Sequence, residues 1–310
     1  MRSPLAFWKE LTGTRSGESV RLSLMLVYLL LIITCYTTTK TVRDSLFITE
    51  IGPSQLPYLY VLTAACMAAI SAIYPRALKR IGLYSFVQLT SLLAIVSLLL
   101  FWWLVAYQWR GLLYVLYVWV SLFGAITASQ AWSLASHVFD AREARRAFAW
   151  IGLGGVVGGI VGGSLARIVA PWLGTEVLLP ICSALMIVTV MILRGLARRE
   201  DWKADREEGP ETDQSKNSGL DVLAQVRQSP YLSMMVALLL SGVLVEAFID
   251  YEFKVVAQQA FDSKDRLTSF LGTIASYGGM LALLVQTLVT GRLLKRFGVG
   301  AAILLLPSAL

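Results

Sequence analysis

Arg76-Ala-Leu-Lys-Arg-Ile-Gly82 and Arg292-Leu-Leu-Lys-Arg-Phe-Gly298 are two copies of one pattern, Arg-x-Leu-Lys-Arg-x-Gly, 216 positions apart. Each copy closes one apolar stretch and opens another. A short basic hairpin repeated at matching places along an apolar chain implies two related helical bundles in a membrane, of which the second is cut short at Leu310.

Composition points to the same class. Of the 310 residues, 56% are hydrophobic and 15% charged, and the mean hydropathy is +0.66. A soluble domain carries about a quarter of its residues as charges. Crossing about 30 Å of hydrocarbon takes roughly 20 apolar residues in a helix, because the backbone finds no water there to bond. Eight stretches meet that length, at 21–39, 56–75, 83–105, 111–136, 147–170, 176–196, 231–253 and 267–291, and a ninth begins near Val299. The expected fold is an all-α integral membrane protein: a six-helix bundle over 21–196, a polar cytoplasmic linker over 197–230, and an incomplete second bundle over 231–310. Residues 1–20 have neither the apolar core nor the cleavage site of a signal peptide and are expected to stay in the cytoplasm.

The net charge of +7 could suggest nucleic acid. With the N-terminus inside, however, 20 of the 27 Lys and Arg fall on the inner side. The positive-inside rule therefore accounts for the charge, without nucleic acid, and places the chain in a cytoplasmic membrane. Cys35, Cys66 and Cys182 lie in apolar stretches and read as small packing residues. One histidine, no metal-ligand spacing and no nucleophile beside a base give no grounds for an enzyme, a metal site or a cofactor.

Ionisable residues are costly inside a bilayer, so their positions point to function or to packing within a bundle. Lys40, Arg43 and Asp44 end the first stretch, and Glu246, Asp250, Glu252 and Lys254 end the seventh. The 216-residue offset makes these two stretches equivalent, so the clusters are expected to face each other where a substrate would sit. Glu246 with Asp250, Asp250 with Lys254, and Lys40 with Asp44 each share a helix face, while Glu252 turns away. The plainer reading makes Lys40 with Asp44, and Asp250 with Lys254, ion pairs that trim helix ends. That would leave Arg43 and Glu246 for substrate. In the fourth stretch Gln130, Ser133 and His137 form a polar stripe that either lines a cavity or bonds neighbouring helices.

In the fifth stretch Gly154, Gly158 and Gly162 form one ridge, and Gly155, Gly159 and Gly163 the next. Ridges without side chains admit another backbone closely. The basic hairpins are topology signals, but their gapless repeat also fits gate charges. Arg76, Lys79, Arg80, Arg292, Lys295 and Arg296 would then pair with acids at neighbouring helix ends in one access state, with Asp140 the first partner to test.

The order of six helices, polar linker, second set and basic loops resembles the major facilitator architecture along the whole chain. Thr39-Lys-Thr-Val-Arg-Asp-Ser-Leu-Phe47 and Asp250-Tyr-Glu-Phe-Lys254 resemble, more narrowly, the ATP/ADP translocase family and its bacterial relatives. That resemblance implies nucleotide exchange or uptake by alternating access. It places the family's helix 1 cation on Arg43, its helix 4 glutamate on Gln130, where the charge is lost, and its helix 7 acid on Glu246, with Asp250 as the competing alignment.

The function expected is an alternating-access carrier or exchanger of a small organic anion, nucleotides among the candidates, with its cavity between helices 1, 4 and 7 and the bilayer around it. The alternatives are a proton-coupled carrier using Glu246 or Asp250, and a membrane scaffold or sensor, alone or joined to a soluble domain. The 310 residues alone are expected not to transport.

Overall fold

The computed structural model describes residues 18–107, 109–197 and 228–290. Among these the chain is entirely helical: α1 (Glu18–Glu50), α2 (Leu56–Ile81), α3 (Leu83–Val105), α4 (Arg110–Val138), α5 (Ala141–Leu173), α6 (Leu178–Ala197), α7 (Pro230–Ala260) and α8 (Lys264–Leu284), which runs on into a π-helical turn over Val285–Thr290. All eight are long and apolar enough to cross a membrane. The expected linker beyond Ala197, the second hairpin with Arg292, Lys295 and Arg296, and the ninth stretch lie outside the described residues.

Short connections make sequence neighbours antiparallel. The tightest is Gly82, with φ +82°, which ends α2 and starts α3 in a conformation that a side chain would strain. One end of the bundle, here the Glu50 end, therefore gathers the α1–α2, α3–α4, α5–α6 and α7–α8 connections, and the opposite end carries Gly82 and Asp140.

Two helices extend well past their apolar runs. α1 continues from the expected 39 to Glu50, and α7 from 253 to Ala260. The polar residues there are satisfied locally. Thr39 Oγ1 donates to the carbonyl of Cys35 (2.7 Å) and Thr41 Oγ1 to that of Thr37 (2.9 Å), so their hydroxyls do not face lipid unpaired.

The first half holds two apolar cores. Met25, Tyr28, Leu29, Leu134 and Ile151 pack toward the Glu18 end, and Leu46, Phe47, Leu98, Leu116 and Met186 toward the Glu50 end. A third cluster, Ile48, Ala257 and Leu267, joins α1 to α7 and α8.

α5 is the spine against which both α1 and α8 lie. A Cβ built on Gly154, Gly158 or Gly162 would come within 2.7, 2.5 and 2.6 Å of the carbonyl oxygens of Leu26, Leu30 and Thr34. Thr34 and Thr38 hydroxyls in turn donate to the carbonyls of Gly158 (3.1 Å) and Gly162 (3.0 Å). From the second ridge Gly163 meets α8, where an added Cβ would lie 2.6 Å from the Gly272 carbonyl. Its neighbours differ. A Cβ on Gly155 would make ordinary contact with Leu29, and one on Gly159 would meet nothing within 4 Å. The first ridge thus serves the seam within the first half, and of the second ridge Gly163 serves the seam between the halves.

Candidate functional site

The charged residues at the ends of α1 and α7 meet between the two halves. Arg43, Asp44 and Lys254 are 5%, 4% and 2% exposed, burial that unpaired charges would not tolerate. Arg43 bonds Asp44 Oδ1 through Nε (2.9 Å) and Nη2 (2.8 Å), donates from Nη1 to Ser121 Oγ of α4 (2.6 Å), and lies 4.0 Å over the Tyr117 ring. The other carboxylate oxygen of Asp44 faces Lys254 Nζ of α7 at 3.4 Å.

Lys254 also bonds Asp250 Oδ2, one turn away on its own helix (2.7 Å), and the Tyr117 hydroxyl (3.4 Å). Tyr60 of α2 donates its hydroxyl to the same oxygen of Asp250 (2.7 Å). Two cations and two carboxylates thus alternate through α1, α7, α2 and α4, and the cluster is electrically balanced. It sits roughly 10 Å from the Glu50 end, given a rise of 1.5 Å per residue.

Around it run further links between the halves. Gln258 donates its amide to the carbonyl of Ile48 (3.2 Å). Asp265 Oδ1 accepts from the backbone N–H (2.8 Å) and hydroxyl (2.6 Å) of Thr175, in the α5–α6 connection. Thr268 bonds Ser45, and Lys264 pairs with Glu176. The halves are therefore stitched together at the Glu50 end by polar contacts. Away from it, α7 presents exposed side chains over most of its length, among them Tyr231, Met234, Leu238, Leu244 and Phe248.

The other sequence-derived candidates are distributed differently. Lys40 lies one turn before Asp44, exposed and without an ion pair among the described residues; its charge reaches Asp44, but the groups in contact with that carboxylate are Arg43 and Lys254. Arg43 is accordingly not left over from pairing. Glu246 lies one turn before Asp250 on the same face of α7, exposed and likewise without a hydrogen bond or ion pair among the described residues. Glu252 is exposed and outside the cluster.

Gln130 is 1% exposed and exchanges hydrogen bonds with Thr90 of α3 (3.0 and 3.1 Å). It ties α4 to α3 rather than facing the space between the halves, because α1 fills the adjoining side of α4. The stripe does not continue as one surface: Ser133 and His137 bond the preceding turn of their own helix, His137 Nδ1 lying 3.1 Å from the Ser133 carbonyl. Arg76, Lys79, Arg80 and Asp140 are all exposed. Arg76 donates to the carbonyl of Ala72 in its own helix (2.8 Å), and no ion pair joins the basic hairpin to Asp140 among the described residues.

Sequence reasoning passed over Tyr60, Tyr117 and Ser121. Tyr117 and Ser121 are one turn apart on α4, and that spacing of a phenol and a hydroxyl inside an apolar helix is the signal that could have found them. It also passed over the Thr175, Asp265, Thr268 and Ser45 group, whose members come from three separate segments, α1, the α5–α6 connection and α8.

The arrangement holds charge inside the protein and leaves Lys40 and Glu246 exposed one turn away from it. Compared with known proteins, residues 19–310 match the family model described as Major Facilitator Superfamily. No curated protein and no solved structure matches the chain.

Proposed function

We propose that this chain, which belongs to the Major Facilitator Superfamily, carries a small organic anion across the membrane by alternating access, with Lys40 as the cation that meets it. The family and the eight spanning helices make the chain a multi-pass membrane transporter. The anion and its binding group are the inference, and one observation carries them. Arg43 and Lys254 both face the buried Asp44 carboxylate, at 2.8 and 3.4 Å, whereas Lys40, on the same face of α1 as Asp44, has no ion pair among the described residues. An exposed ammonium in a site of low dielectric attracts a carboxylate or phosphate far more strongly than it would in water.

In this reading the buried cluster is the gate at the Glu50 end. The Arg43–Asp44 pair belongs to α1 alone and is kept throughout the cycle, while the Asp44–Lys254 and Tyr60–Asp250 contacts cross between halves and part when that end opens. We place the Glu50 end outside, following the distribution of Lys and Arg, in a cytoplasmic membrane with the N-terminus inside. The repeated hairpins at the opposite end would then act as inner gate charges, with Asp140 free to pair in the other state.

ATP and ADP are the anions to try first, since the segments around Arg43 and Asp250 resemble the ATP/ADP translocases. The site argues for a smaller ligand. Arg43 is engaged, Gln130 faces α3, and neither offers a second cation to a polyphosphate. Uptake of labelled ATP, ADP and a panel of mono- and dicarboxylates into cells expressing the protein tests this, with Lys40→Gln beside wild type. Saturable uptake of one anion with a KM raised at least tenfold by Lys40→Gln is expected. Uptake that is indifferent to Lys40 would overturn the reading.

A second observation favours proton coupling. Of the two acids on this face of α7, Asp250 is held by Lys254 and Tyr60, but Glu246 is unpaired. It is therefore the acid whose removal tests that reading. Uptake that collapses with the pH gradient in wild type, and ignores it in Glu246→Gln, is the expected outcome.

A further inference from the structure

A cavity of about 360 Å³ opens at the Glu50 end, beside the charged cluster and separate from it. Its wall combines Glu50 of α1, Trp102 and Trp103 of α3, Trp109 and Arg110 before and at the start of α4, Glu176 of the α5–α6 connection and Lys264 of α8. We propose that this cavity binds the headgroup of a zwitterionic phospholipid, with the ammonium at Glu50 and the phosphate at Arg110.

The charges support a zwitterion. Two carboxylates and two cations line one space, and Glu176 and Lys264 form an ion pair, the Lys264 charge also acting on Glu50 without contacting it. Glu50 and Arg110 remain, one of each sign, with no hydrogen bond or ion pair among the described residues. A phosphoethanolamine group carries the complementary pair. Arginine offers the planar fork that suits a phosphate, and a cavity wall that carries both a carboxylate and indole rings suits an ammonium.

The position argues for a lipid as its source. The cavity lies at the mouth of spanning helices, where tryptophans sit at the level of headgroups. Trp103 continues a stripe of α3, Val96, Leu99 and Trp103, whose members are 65%, 42% and 57% exposed and aligned on one helix face. Acyl chains lying along that stripe would place their headgroup at Trp103, which is in the cavity wall.

The site has a consequence for the cycle. The Lys264–Glu176 contact ties α8 to the first half and forms part of the same wall, so a headgroup bound here favours the state in which the Glu50 end is closed.

The test is native mass spectrometry of the detergent-purified chain titrated separately with dioleoyl phosphatidylethanolamine, dioleoyl phosphatidylglycerol and free phosphoethanolamine. We expect adducts of the ethanolamine lipid at concentrations at which the glycerol lipid gives few. Glu50→Gln should erase that preference and Arg110→Gln should weaken both lipids, each by about tenfold, the size of a lost charge-assisted contact. Both side chains are at the surface, and an unchanged melting temperature certifies that each variant is folded. Equal adducts from both lipids in the wild type, or a preference that survives both substitutions, overturns the proposal. Free phosphoethanolamine binding as well as the lipid would overturn the assignment to the bilayer.

Discussion

Replacing Asp44 by Asn removes a charge without removing volume, and the structure states what should follow. Asp44 faces Arg43 on its own helix and Lys254 on α7, at 2.8 and 3.4 Å. The first contact lies within α1 and is present whichever way the transporter faces, so its loss lowers overall stability without favouring either state. Only the second contact crosses between halves. Unit charges 3.4 Å apart attract by about 5 kcal/mol at an effective dielectric near 20, and the water recovered when the pair separates offsets part of that. A net bias of about 3 kcal/mol remains, in line with the cost of breaking buried pairs. It corresponds to roughly a 150-fold shift in the equilibrium between the Glu50 end closed and open. Spin labels at Ser54→Cys and Asp262→Cys, exposed positions on either side of the seam, would report this as a change in their distance distribution from one short population to a longer one. Lys254→Met should act in the same direction, and the double variant should add little to either alone. An unchanged short distance in folded Asp44→Asn would refute the gate, and full additivity in the double variant would refute the pairing that underlies it.

Other expectations concern packing and the reach of the site. Gly158→Ala should lower stability by about 1–3 kcal/mol, since its Cβ would meet the Leu30 carbonyl at 2.5 Å and force two backbones apart. Gly159→Ala, with nothing within 4 Å, should be neutral or slightly stabilising. Equal melting shifts for the pair in detergent would show that the ridge is not a contact surface. Gln130→Ala breaks the reciprocal bonds with Thr90 and should cost about 1–2 kcal/mol in thermal stability while leaving the substrate KM within twofold. A folded Gln130→Ala protein as defective in KM as Lys40→Gln would place Gln130 at the substrate after all.

Much of this protein was already present in the order of its residues. Eight apolar runs of sufficient length dictate eight spanning helices, because a chain in hydrocarbon must satisfy its backbone within each segment. The glycine ridges of α5 were equally legible, since a repeat of four puts bare backbone on one face whatever that face meets. Their partners were not: α1 for one ridge and α8 for Gly163 depend on how the helices assemble. The meeting of Asp44 with Lys254 follows the same division. That charges clustered at the ends of α1 and α7 could be read from local spacing, but that Asp44 would be partnered by Arg43 and Lys254, leaving Lys40 open, depended on the rotation of each helix about its axis. That rotation is a sum over every contact the helix makes. For the same reason Gln130, on a stripe that sequence alone could turn toward a cavity or a neighbour, bonds Thr90: the adjoining face of α4 is occupied by α1, and only the packed bundle decides which side of a helix is left facing the interior.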